Sequence, residues 1–220
     1  MGSRLERKDK SNLQMKLQEA IKYQGKPFYI PDCSRMELPE FFKNMGFVLG
    51  AEIGVYKGKY CEKFCLAGIN MYAIDPWKDS NLQRQQRQDY LYNYAKKVLE
   101  KTKKCVVIRK SSMDAVKNFE NESLDFVYID ADHSYNETYN DIHYWYKIVK
   151  KGGIISGHDY EYSGNENRAL QAYNATCQVK KAVDDFIKEM NIKNFYTFGR
   201  SKKIELESKN DRYLSWMFFK

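Results

Sequence analysis

From Phe47 onward the chain alternates between short apolar runs and longer stretches with helical spacing. The runs are Phe47–Ile53, Met71–Ile74, Val106–Ile108, Leu124–Ile129 and Ile154–Ser156. They are continuous rather than alternating, which predicts strands covered on both faces. Between them, Tyr139, Ile142, Tyr146 and Val149 recur at steps of three and four, the spacing of a helix with one buried stripe. Strands alternating with helices predict a mostly parallel sheet with helices on both faces. Asn194–Phe198 and Leu214–Phe219 are strand-like and have no helix between them. They predict an antiparallel pair at one sheet edge. The expected fold is therefore α/β, a doubly wound sheet of seven strands. Ahead of it, Leu13, Leu17 and Ile21 recur every fourth residue and predict a helix ending near Gly25. Residues 27–39 then read as a loop and 40–46 as a short helix. The expected organisation is an N-terminal helical arm and linker over 1–46 and one domain over 47–220.

Composition narrows the function classes. A chain of 220 residues suits one domain with an appendage. The net charge is +8, which can attract nucleic acid. No arginine-rich tract or RNA-binding aromatic motif accompanies it, so nucleic acid is not an expected partner. No apolar run approaches the roughly 18 residues of a membrane span. The charged stretch Met1–Lys10 lacks the apolar core of a secretory signal, and the expected location is cytoplasmic. The five cysteines are Cys33, Cys61, Cys65, Cys105 and Cys177. Cys61 and Cys65 share a helical face, but there is no Cys-x-x-Cys pair. Buried reduced thiols are expected, and zinc is not.

The first chemical signal follows the first strand. Glu52-Ile53-Gly54-Val55-Tyr56-Lys57-Gly58 reads E-x-G-x-x-x-G. Glycines there permit a tight turn into a helix and close approach of a ligand to the backbone. The dinucleotide fingerprint G-x-G-x-x-G is absent. Asp75 ends the next strand, where a carboxylate can accept from both hydroxyls of a ribose. Pro76 and Trp77 offer an apolar wall beside it. Two polar segments, Lys78–Leu91 and Glu161–Gln178, leave the carboxyl ends of strands and are expected to act as lids.

With these residues the chain resembles the class I S-adenosylmethionine-dependent methyltransferases, whose fold is Rossmann-like. The resemblance implies that Glu52, Gly54, Tyr56 and Gly58 surround the methionine part of the cofactor. It implies that Asp75, Pro76 and Trp77 take the ribose, and that Ser111 and Ser112 edge the adenine. Asp130 is a further expected cofactor contact, as acceptor for the amino group.

A second group of residues stands at later strand ends. Asp130-Ala131-Asp132-His133-Ser134-Tyr135 follows one strand and Gly157-His158-Asp159-Tyr160 the next. Adjacent parallel strands would bring Asp130, Asp132, His133, His158 and Asp159 into one pocket. This stretch resembles the sugar O-methyltransferase branch of the family. By that resemblance Asp130, His158 and Asp159 would hold a divalent ion, Mg²⁺ or Mn²⁺, and Asp132 would be the general base, with His133 as the alternative. A sugar hydroxyl is a poor nucleophile until its proton is removed, so a base and a metal ion both suit the reaction. The expected function is methyl transfer from S-adenosylmethionine to a hydroxyl of a sugar, glycan or other small molecule. The alternatives are an RNA or protein methyltransferase and a non-catalytic cofactor-binding subunit. No membrane partner is expected, and self-association stays open.

Overall fold

The computed structural model describes residues 16–17, 28–30, 33–162, 172–173, 175–199 and 213–220. Its strands are β1 (Phe28–Ile30), β2 (Leu49–Ile53), β3 (Asn70–Ile74), β4 (Cys105–Ile108), β5 (Leu124–Ile129), β6 (Val149–Gly157), β7 (Phe195–Phe198) and β8 (Ser215–Phe219). The helices are α1 (Leu38–Asn44), α2 (Lys59–Leu66), α3 (Leu82–Glu100), α4 (Ser112–Ala115), α5 (Tyr135–Ile148) and α6 (Val179–Glu189). All eight strands form one sheet in the order β1-β7-β8-β6-β5-β2-β3-β4. Among the described residues only β8 runs antiparallel to its neighbours, β6 and β7.

The doubly wound α/β sheet is therefore the one expected, with eight strands instead of seven. The additional strand, β1, lies inside the stretch read as a loop. Three residues between prolines carry too little periodicity to stand out. Yet β1 pairs with β7, so β7 and β8 do not form the sheet's outermost pair. Residues 28–46 also supply core: Leu38, Phe41 and Phe42 are buried, and the Phe42 ring lies 4.4 Å from that of Phe126. The expected helix near residues 13–25 falls outside the described residues except for Lys16 and Leu17.

Alternation along the central strands divides the core. Phe126 and Tyr128 face α1, α2 and α3, with Phe64, Leu91 and Leu99. Val127 and Ile129 face α5 and α6, with Ile142, Trp145, Val183 and Phe186. The burial of all six residues of β5 explains why its sequence shows no polar alternation.

Strand order reverses between β2 and β5. From β2 the chain proceeds outward through β3 and β4, then returns to place β5 on the other side of β2. The crevice outside the carboxyl ends of such a pair is where open α/β sheets bind ligands. Those ends carry Gly54 and Asp130. No helix among the described residues is long and apolar enough to cross a membrane.

Candidate active site

A cavity of about 510 Å³ opens at this switch point, within the size range of small-molecule sites. Its floor is the β2–α2 loop. Gly54 has φ +85°, and a Cβ there would stand 2.2 Å from the carbonyl oxygen of Asp130. Only glycine permits that approach. The backbone N–H groups of Val55 and Tyr56 both donate to Asp75 Oδ2 at 3.0 Å, and Trp77 N–H donates to Oδ1 at 2.7 Å. Asp75 thus fixes two loops at once. Gly58, at φ +74°, is the N-cap of α2 and packs on Leu99 of α3.

Of the predicted cofactor residues, Gly54, Tyr56, Asp75, Pro76, Ser111, Ser112 and Asp130 line the cavity. Glu52, Gly58 and Trp77 do not. Glu52 is buried and points from β2 toward α2. Trp77 is buried beneath the loop. Its indole N–H donates to the Tyr56 carbonyl at 2.9 Å, and its ring packs edge-on against Tyr92. The apolar wall is therefore Pro76 alone of that pair. Alternation along β2 explains Glu52, whose side chain falls on the core face, whereas Trp77 lies in the loop beyond β3, where its backbone takes a φ of 39°.

The structure adds cavity residues that the sequence reading omitted. Gln88 of α3 and Glu137 and Asp141 of α5 line it. Lys78–Leu91, read as a lid, is instead a short loop followed by the first turns of α3, capped by Asn81 accepting from Arg84 N–H. Glu161–Gln178 lies largely outside the described residues. Among the described residues, five carboxyl groups line the cavity: Asp75, Asp130, Asp132, Glu137 and Asp141. Such a site favours a cationic ligand and disfavours phosphates.

Asp141 hydrogen-bonds Ser112 Oγ, which also accepts from the Trp145 indole N–H at 2.8 Å. Burial pushes the Asp141 carboxyl up to about 7, against the lowering effect of the Ser112 bond. A carboxyl raised this way lends stability that is fully present below its unfolded value near 4 and is lost as pH rises through 7. Asp141→Asn should therefore raise the melting temperature at pH 8 more than at pH 5. A gain of about 1–3 kcal/mol follows from 1.36 kcal/mol per tenfold change in proton affinity. Equal effects at both pH values in thermal denaturation would refute it.

Asp130 faces a cation from outside the predicted set. Arg35 Nη1 lies 2.8 Å from its Oδ2. Arg35 also lies over the Tyr60 ring at 5.0 Å, and its carbonyl accepts from Tyr60 Oη at 2.7 Å. A capping box between Ser34 and Glu37 fixes the turn that presents it. Arg35 and Asp130 are 95 positions apart, so no local pattern could have paired them.

The second group converges in part. His133 Nε2 stands 3.0 Å and His158 Nδ1 3.3 Å from Asp159 Oδ2. Burial alone would raise Asp159, but these two contacts outweigh it and hold the carboxyl well below its usual range. The same hydrogen bond raises His133 above the ordinary imidazole value, against desolvation. Donor atoms of Asp130, His133 and Asp159 lie within 4.8 Å of one another. The set that could share an ion thus contains His133, where the sequence reading had His158. His158 is buried behind Asp159. Asp132 lines the cavity, but its Oδ1 accepts from Ser134 N–H at 2.7 Å, and that contact with Ser134 lowers its carboxyl.

A family model described as "Methyltransferase domain" matches residues 51–160. The chain belongs to that family. The match spans β2 to the end of β6, the part that builds the cavity and both groups of acids. This methyltransferase domain is similar in fold to several solved structures. An O-methyltransferase from Bacillus cereus, solved with S-adenosylhomocysteine, is 15% identical, with 96% of this chain and 92% of that one covered and a TM-score of 0.59. The O-methyltransferase TomG from Streptomyces achromogenes, solved with S-adenosylmethionine, is 10% identical, with 84% and 78% covered and a TM-score of 0.57. The N-methyltransferase NodS from Bradyrhizobium japonicum is 11% identical, with 84% and 93% covered and a TM-score of 0.55. Both O- and N-methylation occur on this fold, so the fold does not choose the acceptor atom. The search of curated proteins found no match.

Proposed function

We propose that this methyltransferase domain moves a methyl group from S-adenosylmethionine to a hydroxyl of a sugar, glycan or other small molecule. The observation that carries the reading is the His133–Asp159 pair, 3.0 Å apart, beside Asp130 at the rim of the cavity. A hydroxyl acceptor needs a proton acceptor at that place. When bound, the cofactor supplies an electrophilic methyl on a sulfonium centre.

The cavity fits that cofactor by charge and shape. Its carboxyl groups complement a cationic ligand, and the Gly54 turn leaves room for one against the backbone. Asp75 would take the ribose hydroxyls, and Ser111, Ser112 and Met113 would edge the base. Asp130, held by Arg35, would accept from the ammonium group of the methionine portion. Asp159 accepts from His133 Nε2–H, which fixes the tautomer with the lone pair on Nδ1. His133 Nδ1 would then receive the proton that the acceptor hydroxyl gives up. Asp159 stabilises the resulting imidazolium and stays ionised, as its low proton affinity requires.

A second reading rests on the three converging donors Asp130, His133 and Asp159. Two carboxylates and an imidazole suit Mn²⁺ and, less well, Mg²⁺. An ion there would take His133 and Asp159 out of their mutual hydrogen bond and draw Asp130 from Arg35. The test follows S-adenosylhomocysteine release across a panel of sugars, glycosides and phenols, with and without exhaustive chelation. Hydroxyl methylation that survives chelation is the expected result. Its loss on chelation and return with Mn²⁺ would favour the second reading. Turnover of amines alone would overturn the hydroxyl assignment.

A further inference from the structure

Three of the five cysteines meet on the sheet face opposite α5 and α6. Cys61 and Cys65 lie one turn apart on α2, and Cys105 opens β4. Their sulfur atoms all lie within 4.8 Å of one another, and Cys61 Sγ is 3.8 Å from Cys105 Sγ. Cys61 and Cys65 are buried and Cys105 is half-buried. The chain spacing hid this group, because Cys105 arrives through the pairing of Met71 with Cys105 across β3 and β4.

Beside it stands Glu52, one of the predicted cofactor residues that do not line the cavity. Glu52 is 2% exposed, and its carboxyl contacts the Cys61 thiol. Its Oε2 has no hydrogen-bond partner among the described residues. A buried carboxyl left this way is costly and calls for a reason.

We propose that Cys61, Cys65, Cys105 and Glu52 form a binding site for one Zn²⁺ ion. The three sulfur atoms would take three tetrahedral positions, and Glu52, which contacts the Cys61 thiol, would swing in to close the fourth, leaving no open position for catalysis. Thiolate–zinc bonds of about 2.3 Å place tetrahedral sulfur ligands about 3.8 Å apart, which the Cys61–Cys105 separation already matches. Binding displaces the thiol protons and the Glu52 proton to water, with no change of oxidation state. The bound ion would tie β2, α2 and β4 together directly beneath the Gly54 turn.

The test uses the full chain, reduced with a phosphine and stripped of metal. Zn²⁺ is titrated in competition with a chromophoric chelator, and Co²⁺ serves as a spectroscopic stand-in. One equivalent of Zn²⁺ and an intense thiolate-to-cobalt charge-transfer band are expected. Cys105→Ser should lose the band, Glu52→Gln should weaken Zn²⁺ binding roughly 10–100-fold, and Cys33→Ser and Cys177→Ser should change neither. Should the variants fail to fold, alkylation of the wild-type chain decides. Zn²⁺ should protect Cys61, Cys65 and Cys105 from iodoacetamide in peptide mass spectra and leave Cys177 reactive. Absence of the band in the wild-type chain, or equal alkylation with and without Zn²⁺, would overturn the site. None of these readouts depends on methyl transfer, so the site stands or falls apart from the proposed function.

Discussion

Replacing His133 with alanine should lower kcat by roughly 10²–10⁴-fold, the range for loss of a positioned general base. Affinity for S-adenosylmethionine should stay near wild type, because His133 is not among the residues lining the cofactor cavity. Asp159→Asn should reduce kcat less, since an amide oxygen still accepts from Nε2–H but no longer stabilises the charged ring. Asp132→Asn should do least of the three. That carboxylate already accepts from Ser134 N–H and is a weakened base for it. Single-turnover kinetics with saturating cofactor separate these outcomes from binding. A His133→Ala enzyme within threefold of wild type would remove the imidazole from the mechanism.

The pH profile carries an independent sign. Asp159 raises His133 above its ordinary value near 6.5. The base is lost by protonation, so kcat/KM should fall as pH drops through that raised value. Asp159→Asn should move the midpoint down toward 6.5. Stability should respond in the opposite sense. A histidine raised in the folded state adds stability that is fully present below 6.5 and is lost as pH rises through the folded value. Acidification from pH 8 to pH 6 should thus make the protein more stable and less active. Half-exposure of His133 keeps the stability part small.

The fold was largely legible because the central strands are buried on both faces. Continuous runs such as Leu124–Ile129 cannot be surface strands, and their alternation with helices leaves few topologies. Sites near strand ends were legible for the same reason: glycine, Asp75, Asp130 and Asp159 each terminate a strand. What escaped the sequence depends on contacts between distant segments. Arg35 reaches Asp130 only because residues 28–46 join the sheet and the core. Nothing in the helical spacing of α5 marks Glu137 or Asp141 as site residues, yet both line the cavity and Asp141 is buried against Ser112. Lys78–Leu91 looked like a loop because Gln and Arg are abundant there. Those residues are also good helix formers, and Leu91 and Ala95 bury the apolar stripe of α3. Trp77 followed a ribose-binding position, yet its indole fills the core beneath the loop.

Asp75→Ala should lose both cofactor binding and the geometry that permits it. From the sequence, Asp75 is a ribose ligand, and its loss would weaken binding by roughly 1.5–3 kcal/mol, the value of a hydrogen bond to a charged group. The structure gives it a prior task. Its two oxygens accept from Val55, Tyr56 and Trp77 N–H at 2.7–3.0 Å. Three backbone donors lose their acceptor together when it is removed. Two of the residues concerned, Tyr56 and Trp77, have positive φ of 51° and 39°, conformations that persist only when surrounding contacts enforce them. The loop should relax away from its bound shape, and ordering it again would be added to every binding event. A loss of at least 100-fold in S-adenosylmethionine affinity is expected, with a melting temperature lowered at the same time. Asp75→Asn should fall between, because its amide oxygen can keep only part of the set and its NH₂ meets donors. Calorimetry with S-adenosylhomocysteine, paired with thermal denaturation, separates the two roles. If affinity drops while the melting temperature holds, Asp75 serves the ribose and the loop stands without it. If neither moves, the carboxylate is irrelevant to both, and the cofactor's placement in this cavity fails with it.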